Sequence, residues 1–158
     1  MGNPQQYRPS NRTKVSPSQL RLVQADRRRR IVQLPVTPLI SVIDDDESVR
    51  MATTALARSL GHAVRSFASA QAFLESAYVD NTSCLIVDIQ MPRMSGVELQ
   101  SALLSQGHRI PIIFMTAFPD EKIRSRVLRS GAVGYISKPF RAQGLIECLD
   151  RALERQLD

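Results

Sequence analysis

Residues 39–158 of the sequence predict a doubly wound α/β domain built on a five-stranded parallel sheet. A short apolar segment followed by a segment with helical apolar spacing occurs five times in succession. The predicted strands are continuously apolar instead of alternating, which is typical of parallel strands covered on both faces. Right-handed crossovers then place helices on both sides of the sheet, and the expected architecture has three layers.

The first two strand and helix units occupy the start of the domain. Leu39–Ile43 is predicted as the first strand, and the helix after it ends at Gly61. Ala63–Phe67 is predicted as the second strand. Ser69 is placed to cap a second helix, whose apolar face reaches Ala77.

The other three units follow the same plan. Their strands and helices are predicted, in chain order, at Cys84–Val87, Val97–Gln106, Ile110–Met115, Pro119–Ser130, Val133–Ile136 and Leu145–Leu153. Gly61, Gly107 and Gly131 each follow a predicted helix and precede a strand. Helix ends of this kind favour a left-handed backbone, which glycine adopts readily.

The net charge of +6 is distributed unevenly along the 158 residues. Residues 1–38 contain eight Lys or Arg and one acidic residue, whereas residues 39–158 contain thirteen basic and fourteen acidic residues. The first segment is rich in Pro, Gln, Ser and Arg, a composition that buries too little apolar surface to offset its ordering entropy. We therefore expect a basic, disordered N-terminal extension over 1–38, followed by a nearly neutral domain.

The sequence also limits the compartment and the redox chemistry. No apolar run approaches the roughly 20 residues of a membrane-spanning helix, and the N-terminus lacks the apolar core of a secretory signal. We expect a cytoplasmic protein. Cys84 and Cys148 have neither the spacing of a metal site nor that of a disulfide framework, so we expect two reduced, partly buried thiols.

Four of the five predicted strands end in a residue that can take part in chemistry. Asp44 and Asp45 follow the first strand, Asp88 the third, Thr116 the fourth and Lys138 the fifth. In the strand order 2-1-3-4-5 the first and third strands are neighbours about 4.8 Å apart, so their three carboxylates converge. Carboxylates this close repel one another, and a hard cation such as Mg²⁺ with oxygen ligands resolves the repulsion.

The remaining two residues suit the oxygens of a transferred phosphoryl group. Lys138 lies two strands from Asp88, roughly 10 Å across the sheet, a gap that a lysine side chain can span. Thr116 lies one strand from Asp88 and can offer a hydroxyl donor. A carboxylate nucleophile, a metal ion, a cation and a hydroxyl together predict a site that accepts a phosphoryl group.

Four motifs at these strand ends resemble the receiver domain of two-component response regulators. They are the Asp-Asp pair after the first strand, Val-Asp-Ile-Gln-Met-Pro after the third, Met-Thr-Ala after the fourth, and Gly-Tyr-Ile-Ser-Lys-Pro-Phe around the fifth. The Met-Pro-Arg-Met-Ser-Gly-Val-Glu-Leu segment is similar to that of the FixJ-type subfamily. The resemblance covers residues 39–155 and implies a flavodoxin-like receiver fold.

The resemblance assigns the phosphoacceptor and the metal ligands. It implies that Asp88 is phosphorylated and that Asp45 is the main carboxylate ligand of Mg²⁺. Asp44 would assist through water, and the backbone carbonyl of Gln90 would complete the protein ligands. Asp46 lies outside this set and is expected only to cap the first helix.

The resemblance also assigns the groups that bind and sense the phosphoryl group. It implies that Thr116 and Lys138 hold the phosphoryl oxygens and that the Lys138–Pro139 bond is cis. Tyr135 would be an aromatic switch whose ring turns inward as Thr116 moves toward the phosphate.

These assignments predict a phosphorylation-controlled signalling switch, not an enzyme. Its expected donor is a histidine kinase or a phosphotransfer protein, and a homodimer through the fourth helix, fifth strand and fifth helix is a further expected partnership. FixJ-type regulators usually continue into a DNA-binding domain, whereas this sequence stops at Asp158, so either the protein signals without one or an output domain is missing. The alternative is a regulator that binds DNA or an anionic surface, either through the basic N-terminal tail with its Arg27–Arg30 run or through a missing output domain.

Overall fold

The computed structural model describes residues 36–155 of the chain. Residues 1–35 of the basic extension lie outside this range, so its predicted disorder is not tested. The domain boundary after residue 38 stays a prediction. Within the described residues, no helix is both long and apolar enough to cross a membrane.

The described chain alternates strands and helices, as the sequence predicts. The elements are β1 (Leu39–Ile43), α1 (Glu47–Ser59), β2 (Ala63–Phe67), α2 (Ala70–Leu74), β3 (Cys84–Asp88), α3 (Gly96–Ser105), β4 (Ile112–Thr116), α4 (Glu121–Arg129), β5 (Gly134–Ser137) and α5 (Ala142–Glu154). All neighbouring strands pair in parallel, in the order β2-β1-β3-β4-β5. The predicted doubly wound α/β fold and its strand order are confirmed.

The strand register brings the strand ends that carry the candidate site residues to one edge of the sheet. Ile43 pairs with Val87 across β1 and β3, and Thr116 pairs with Ser137 across β4 and β5. Each of these residues is at or beside the carboxyl end of its strand. The side chains that follow the strands therefore share the edge where parallel α/β sheets bind their ligands.

Two apolar clusters cover the two faces of the sheet. One contains residues of α1 and α5, such as Ala57 and Leu149. The other contains residues of α2, α3 and α4, such as Phe73, Leu99 and Val127. The strands contribute to both clusters, so the central sheet is buried from both sides. Cys84 and Cys148 lie in the first cluster as free, buried thiols, as predicted, and burial raises the pKa of Cys84 to about 12.

Several helix ends differ from the sequence predictions, and two of these differences have a visible cause. α2 ends at Leu74, before the predicted Ala77, because the Ser76 hydroxyl donates to the Phe73 carbonyl at 2.6 Å and competes with the helical pattern. α4 begins at Glu121 instead of Pro119, because the Asp120 side chain accepts the first free helical N–H groups.

Smaller boundary differences reflect local constraints. β4 begins at Ile112, not at the predicted Ile110, directly after Pro111, which has no N–H to give to a neighbouring strand.

The three glycines predicted to end helices all adopt positive φ values: 90° at Gly61, 83° at Gly107 and 102° at Gly131.

Candidate functional site

Asp44 is buried beneath the edge of the sheet and is held by several hydrogen bonds. Its side chain is 0% exposed. One carboxylate oxygen accepts a hydrogen bond from the Asp46 N–H at 2.9 Å, and the other accepts one from the Lys138 ammonium at 2.7 Å. The Asp44 carbonyl accepts the Arg50 guanidinium at 2.7 Å. The carboxylate is thus held by the N-cap residue of α1 and by Lys138, which follows β5.

Asp88 ends β3 and is only 5% exposed. The N-terminus of α3 lies against its main chain, because the Gly96 N–H donates to the Ile89 carbonyl at 3.0 Å. A Cβ atom at Gly96 would lie 2.5 Å from the Asp88 carbonyl oxygen. Gly96 is therefore needed for α3 to approach Asp88 so closely. Ser95 and Glu98 form a capping box that fixes this end of α3.

Three carboxylates converge at this edge, as the strand order predicts. Asp44, Asp45 and Asp88 each offer one oxygen, and these oxygens all lie within 4.8 Å of one another. Asp45 is exposed and the other two are buried, so the cluster opens toward solvent on one side. An all-oxygen, negatively charged donor set with one open side suits Mg²⁺, which keeps several water ligands.

Asp46 does not join this cluster. Its side chain accepts the N–H groups of Ser48 and Val49 at the start of α1, which confirms that it caps the helix. The hydrogen bond from the Ser48 hydroxyl, followed by that from the Val49 N–H, lowers the pKa of Asp46.

Lys138 reaches across two strands to the carboxylates. Its ammonium lies 2.7 Å from Asp44 Oδ2 and 3.3 Å from Asp88 Oδ1. Its backbone N–H donates to the Thr116 carbonyl at 2.7 Å, and the Lys138–Pro139 bond is cis, as the resemblance implies. The predicted span of roughly 10 Å is therefore bridged by this side chain.

The pKa values reflect this convergence of charge. Burial, opposed by the Lys138 charge and assisted by the Asp44 charge, raises the pKa of Asp88. Burial alone would lower the pKa of Lys138, but its hydrogen bond with Asp44 and the charges of Asp44 and Asp88 together raise it. The lysine therefore remains charged, and it is the main described group that favours the ionised form of Asp88.

Thr116 does not direct its hydroxyl at Asp88 in this structure. The hydroxyl donates to Gln90 Oε1 at 2.9 Å, and it accepts the Phe118 N–H at 3.0 Å. The sequence places Thr116 one strand from Asp88, and the sheet confirms that position. The direction of the hydroxyl is a choice of rotamer, which strand spacing does not determine.

Tyr135 is half-buried on β5, and its hydroxyl lies at the start of α4. The hydroxyl oxygen is 3.0 Å from the Asp120 N–H that donates to it, and 3.4 Å from the Asp120 carbonyl that accepts from it. Asp120 is also the cap of α4. The ring thus connects the end of β5 with the first turn of α4.

Sequence reasoning missed three residues of this region. Gly96 allows close approach to Asp88, Arg50 binds the Asp44 carbonyl, and Asp120 joins Tyr135 to α4. Asp120 had a detectable signal, an acidic cap followed by Glu121 in the first turn. Arg50 and Gly96 act through contacts between separate elements. Gly96 lies in the Ser-Gly-Val-Glu-Leu segment quoted above, but that segment does not indicate its contact with β3.

The comparisons with known proteins agree with this geometry. Residues 40–150 match the response regulator receiver domain family. The chain is 41% identical over 117 residues to nodulation protein W of Bradyrhizobium diazoefficiens, an alignment that covers 74% of this chain and 52% of that protein. It is 36% identical over 115 residues to the transcriptional regulatory protein FixJ of Rhizobium meliloti, with 73% and 56% covered.

A solved structure gives the same result for the fold. The crystal structure of FixJ-N superposes with a TM-score of 0.68 at 35% sequence identity, covering 76% of this chain and 96% of that one. The chain spans about half the length of the curated relatives it matches.

Proposed function

Because this chain belongs to the response regulator receiver domain family, we propose that it is a phosphorylation-controlled switch that receives its phosphoryl group on Asp88. The observation that carries the proposal is the position of Asp88, with Lys138 3.3 Å away and two further carboxylates beside it. The proposed donor is a histidine kinase or a phosphotransfer protein, acting in the cytoplasm.

The proposed reaction is a phosphoryl transfer between two side chains. An Asp88 carboxylate oxygen attacks the phosphorus of a phosphohistidine as the P–N bond breaks. The new O–P bond makes an acyl phosphate, and the imidazole leaves with the electron pair. Such transfers depend chiefly on in-line positioning and on neutralising the charge of the phosphoryl oxygens. The Lys138 ammonium, 3.3 Å from Asp88 Oδ1, supports the second requirement.

The proposed metal ligands are the carboxylates of Asp44, Asp45 and Asp88 and the backbone carbonyl of Gln90. Bound Mg²⁺ would supply positive charge and a fixed orientation for the phosphoryl oxygens. The chain's own contribution is to hold the carboxylates together before the metal binds. The Asp46 N–H bond to Asp44, and the Lys138 ammonium in contact with both Asp44 and Asp88, support this role.

The proposed output is a change in the face formed by α4, β5 and α5. Thr116 would move to a phosphoryl oxygen, and the Tyr135 ring would turn inward. The Tyr135 hydroxyl would then leave Asp120 at the start of α4. A homodimer or a downstream protein that binds this face would read the change.

Reaction with a small phosphodonor tests the proposal without a known kinase. The protein is incubated with phosphoramidate and Mg²⁺, and intact-mass spectrometry measures the phosphorylated fraction. We expect Asp88→Asn to lower the labelling rate on the order of a thousandfold or more, because the nucleophile is removed. Chelation by EDTA should also abolish labelling of the wild-type protein.

Asp150→Asn is the matched control, since it removes an exposed carboxylate from α5 by the same substitution. It should label at the wild-type rate. Undiminished labelling of the Asp88→Asn protein, or labelling that persists in EDTA, would refute the proposed phosphoacceptor site.

The charge of residues 1–38 favours a second function. This segment carries eight basic residues against one acidic residue, a density that attracts DNA or another polyanion in a salt-dependent manner. A gel shift with duplex DNA at several salt concentrations would test this, comparing the full chain with a chain that lacks residues 1–38. Affinity at low salt that disappears with the deletion supports the second function, and equal migration of both proteins at every salt concentration excludes it.

A further inference from the structure

The Thr116 hydroxyl already uses its only proton in this structure. The side chain is 0% exposed, so the hydroxyl has no access to bulk water. It donates to Gln90 Oε1 at 2.9 Å and accepts the Phe118 N–H at 3.0 Å. A hydroxyl has one proton to donate. The Thr116 hydroxyl therefore cannot donate to a phosphoryl oxygen on Asp88 while it donates to Gln90.

The main chain around this hydroxyl is held in place on both sides. The Lys138 N–H donates to the Thr116 carbonyl at 2.7 Å, and the Ile89 N–H donates to the Met115 carbonyl at 2.9 Å. β4 is also the partner of both β3 and β5. The hydrogen-bond partners of the hydroxyl therefore resist its reorientation. One partner, the Phe118 N–H, belongs to the main chain, and the other, the Gln90 amide, belongs to an exposed side chain.

We propose that the Gln90 side chain is a positioning residue that holds Thr116 in the resting orientation and competes with the phosphoryl group for its proton. This inference rests on the proposed function, since it concerns how that site responds once Asp88 carries a phosphoryl group. The role of the Gln90 side chain is distinct from that of the Gln90 carbonyl, which is a proposed metal ligand.

The exposure of the Gln90 side chain determines how strongly its hydrogen bond opposes the reorientation of Thr116. When Thr116 leaves, the Gln90 amide returns to water, whereas the buried hydroxyl must find its new acceptor at the phosphoryl group. The bond therefore opposes the switch weakly. Loss of a neutral hydrogen bond of this kind changes an equilibrium constant by about two- to tenfold.

Beryllofluoride binding to the full-length protein tests the competition, because this complex mimics the oxygens of an acyl phosphate. The affinity is measured by NMR titration at saturating Mg²⁺, so that metal binding does not limit the result. Gln90→Met keeps the length of the side chain and the backbone carbonyl but removes the acceptor. We expect this substitution to raise the beryllofluoride affinity by about two- to tenfold.

A double-mutant cycle separates this competition from a general effect of Gln90. Thr116→Val removes the hydroxyl and keeps the branched shape of the side chain. In that background, Gln90→Met should leave the beryllofluoride affinity unchanged, since the proton for which both acceptors compete is gone.

The Phe118 amide resonance gives a second readout that does not depend on the Thr116→Val protein being folded. In the Gln90→Met protein without beryllofluoride, this resonance should shift toward its position in the beryllofluoride-bound wild type, because its acceptor reorients more often. Equal affinities of the Gln90→Met and wild-type proteins, an unmoved Phe118 resonance, or an equal effect of Gln90→Met in the Thr116→Val background would each overturn the inference. Failure of the wild type to bind beryllofluoride, or equal binding by Asp88→Asn, would instead refute the proposed function.

Discussion

The edge of the sheet contains two groups of residues with different bonding. The first, the charged half, consists of Asp44, Asp45, Asp88 and Lys138. The second, the switch half, consists of Gln90, Thr116, Asp120 and Tyr135. Charged contacts converge in the first group, with the Lys138 ammonium 2.7 Å from Asp44 and 3.3 Å from Asp88. Neutral hydrogen bonds of 2.9 to 3.4 Å join the second group in two pairs, Thr116 with Gln90 and Tyr135 with Asp120.

This difference suggests a division of roles between the two halves. Charge-assisted contacts are strong and expensive to break when buried, so they suit groups that stay in place during chemistry. Neutral hydrogen bonds contribute little net free energy, so they can be exchanged when the state of Asp88 changes. Substitutions in the charged half should therefore have large effects on stability, and those in the switch half should have small ones.

The largest expected effect is that of Lys138→Met in metal-free protein. The substitution leaves the buried Asp44 carboxylate without its ammonium partner. We expect the free energy of unfolding in urea to fall by about 3 kcal/mol, because breaking a buried pair strands an uncompensated charge. Added Mg²⁺ should restore part of this loss.

Lys122→Met is the control, because Lys122 is exposed on α4. Substitution there should change the free energy of unfolding by no more than about 0.5 kcal/mol. If Lys138→Met cost no more than this control, the charged half would not be the stable part of the site.

A smaller loss of stability is expected from Gly96→Ala, which adds one methyl group next to the main chain of Asp88. The new Cβ would lie 2.5 Å from the Asp88 carbonyl oxygen, so either β3 or α3 must shift. We expect the free energy of unfolding to fall by about 1–3 kcal/mol and the phosphoramidate reaction to slow.

Gly144→Ala is the matched substitution, since a Cβ there meets no atom within 4 Å. Gly144 lies in α5, where alanine is the better helix former, and the substitution should raise the free energy of unfolding by about 0.5–1 kcal/mol. Equal changes in the two variants would mean that α3 is not closely packed on Asp88.

The smallest expected effect is that of Tyr135→Phe in the switch half. The substitution removes the hydroxyl that connects β5 with Asp120. We expect the free energy of unfolding to fall by about 0.5–1 kcal/mol. We also expect faster hydrogen exchange of the Lys122 and Ile123 amides, which the Asp120 side chain caps.

Tyr78→Phe serves as the comparison, because the Tyr78 ring lies beneath the Arg65 guanidinium in a contact that phenylalanine keeps. It should leave exchange in α4 unchanged. A loss of several kcal/mol from Tyr135→Phe would contradict the division into a firmly bonded and an exchangeable half.

The sequence was sufficient to predict the charged half. The position of each acid at a strand end, together with parallel strand order, determines that Asp44 and Asp88 converge. The length of a lysine side chain then determines that Lys138 reaches them. These inferences depend on strand geometry, which varies little between parallel sheets.

The switch half could be predicted only by position. That Thr116 lies near Asp88 follows from the sheet, but that its hydroxyl donates to Gln90 depends on a rotamer and on a side chain from another loop. The contact between Tyr135 and Asp120 depends on where α4 begins, and that boundary was predicted two residues too early. Gly96 was not recognised because its role is a contact with the main chain of β3.

Amide NMR spectra of the wild-type protein with Mg²⁺, recorded before and after addition of beryllofluoride, test the coupling of the two halves most directly. We expect the Phe118 and Asp120 resonances to shift, because their acceptors on Thr116 and Tyr135 are exchanged. The Gly107 resonance, at the opposite end of the sheet, should stay in place. Shifts confined to the amides of Asp44, Asp45 and Asp88, with Phe118 and Asp120 unmoved, would contradict this coupling.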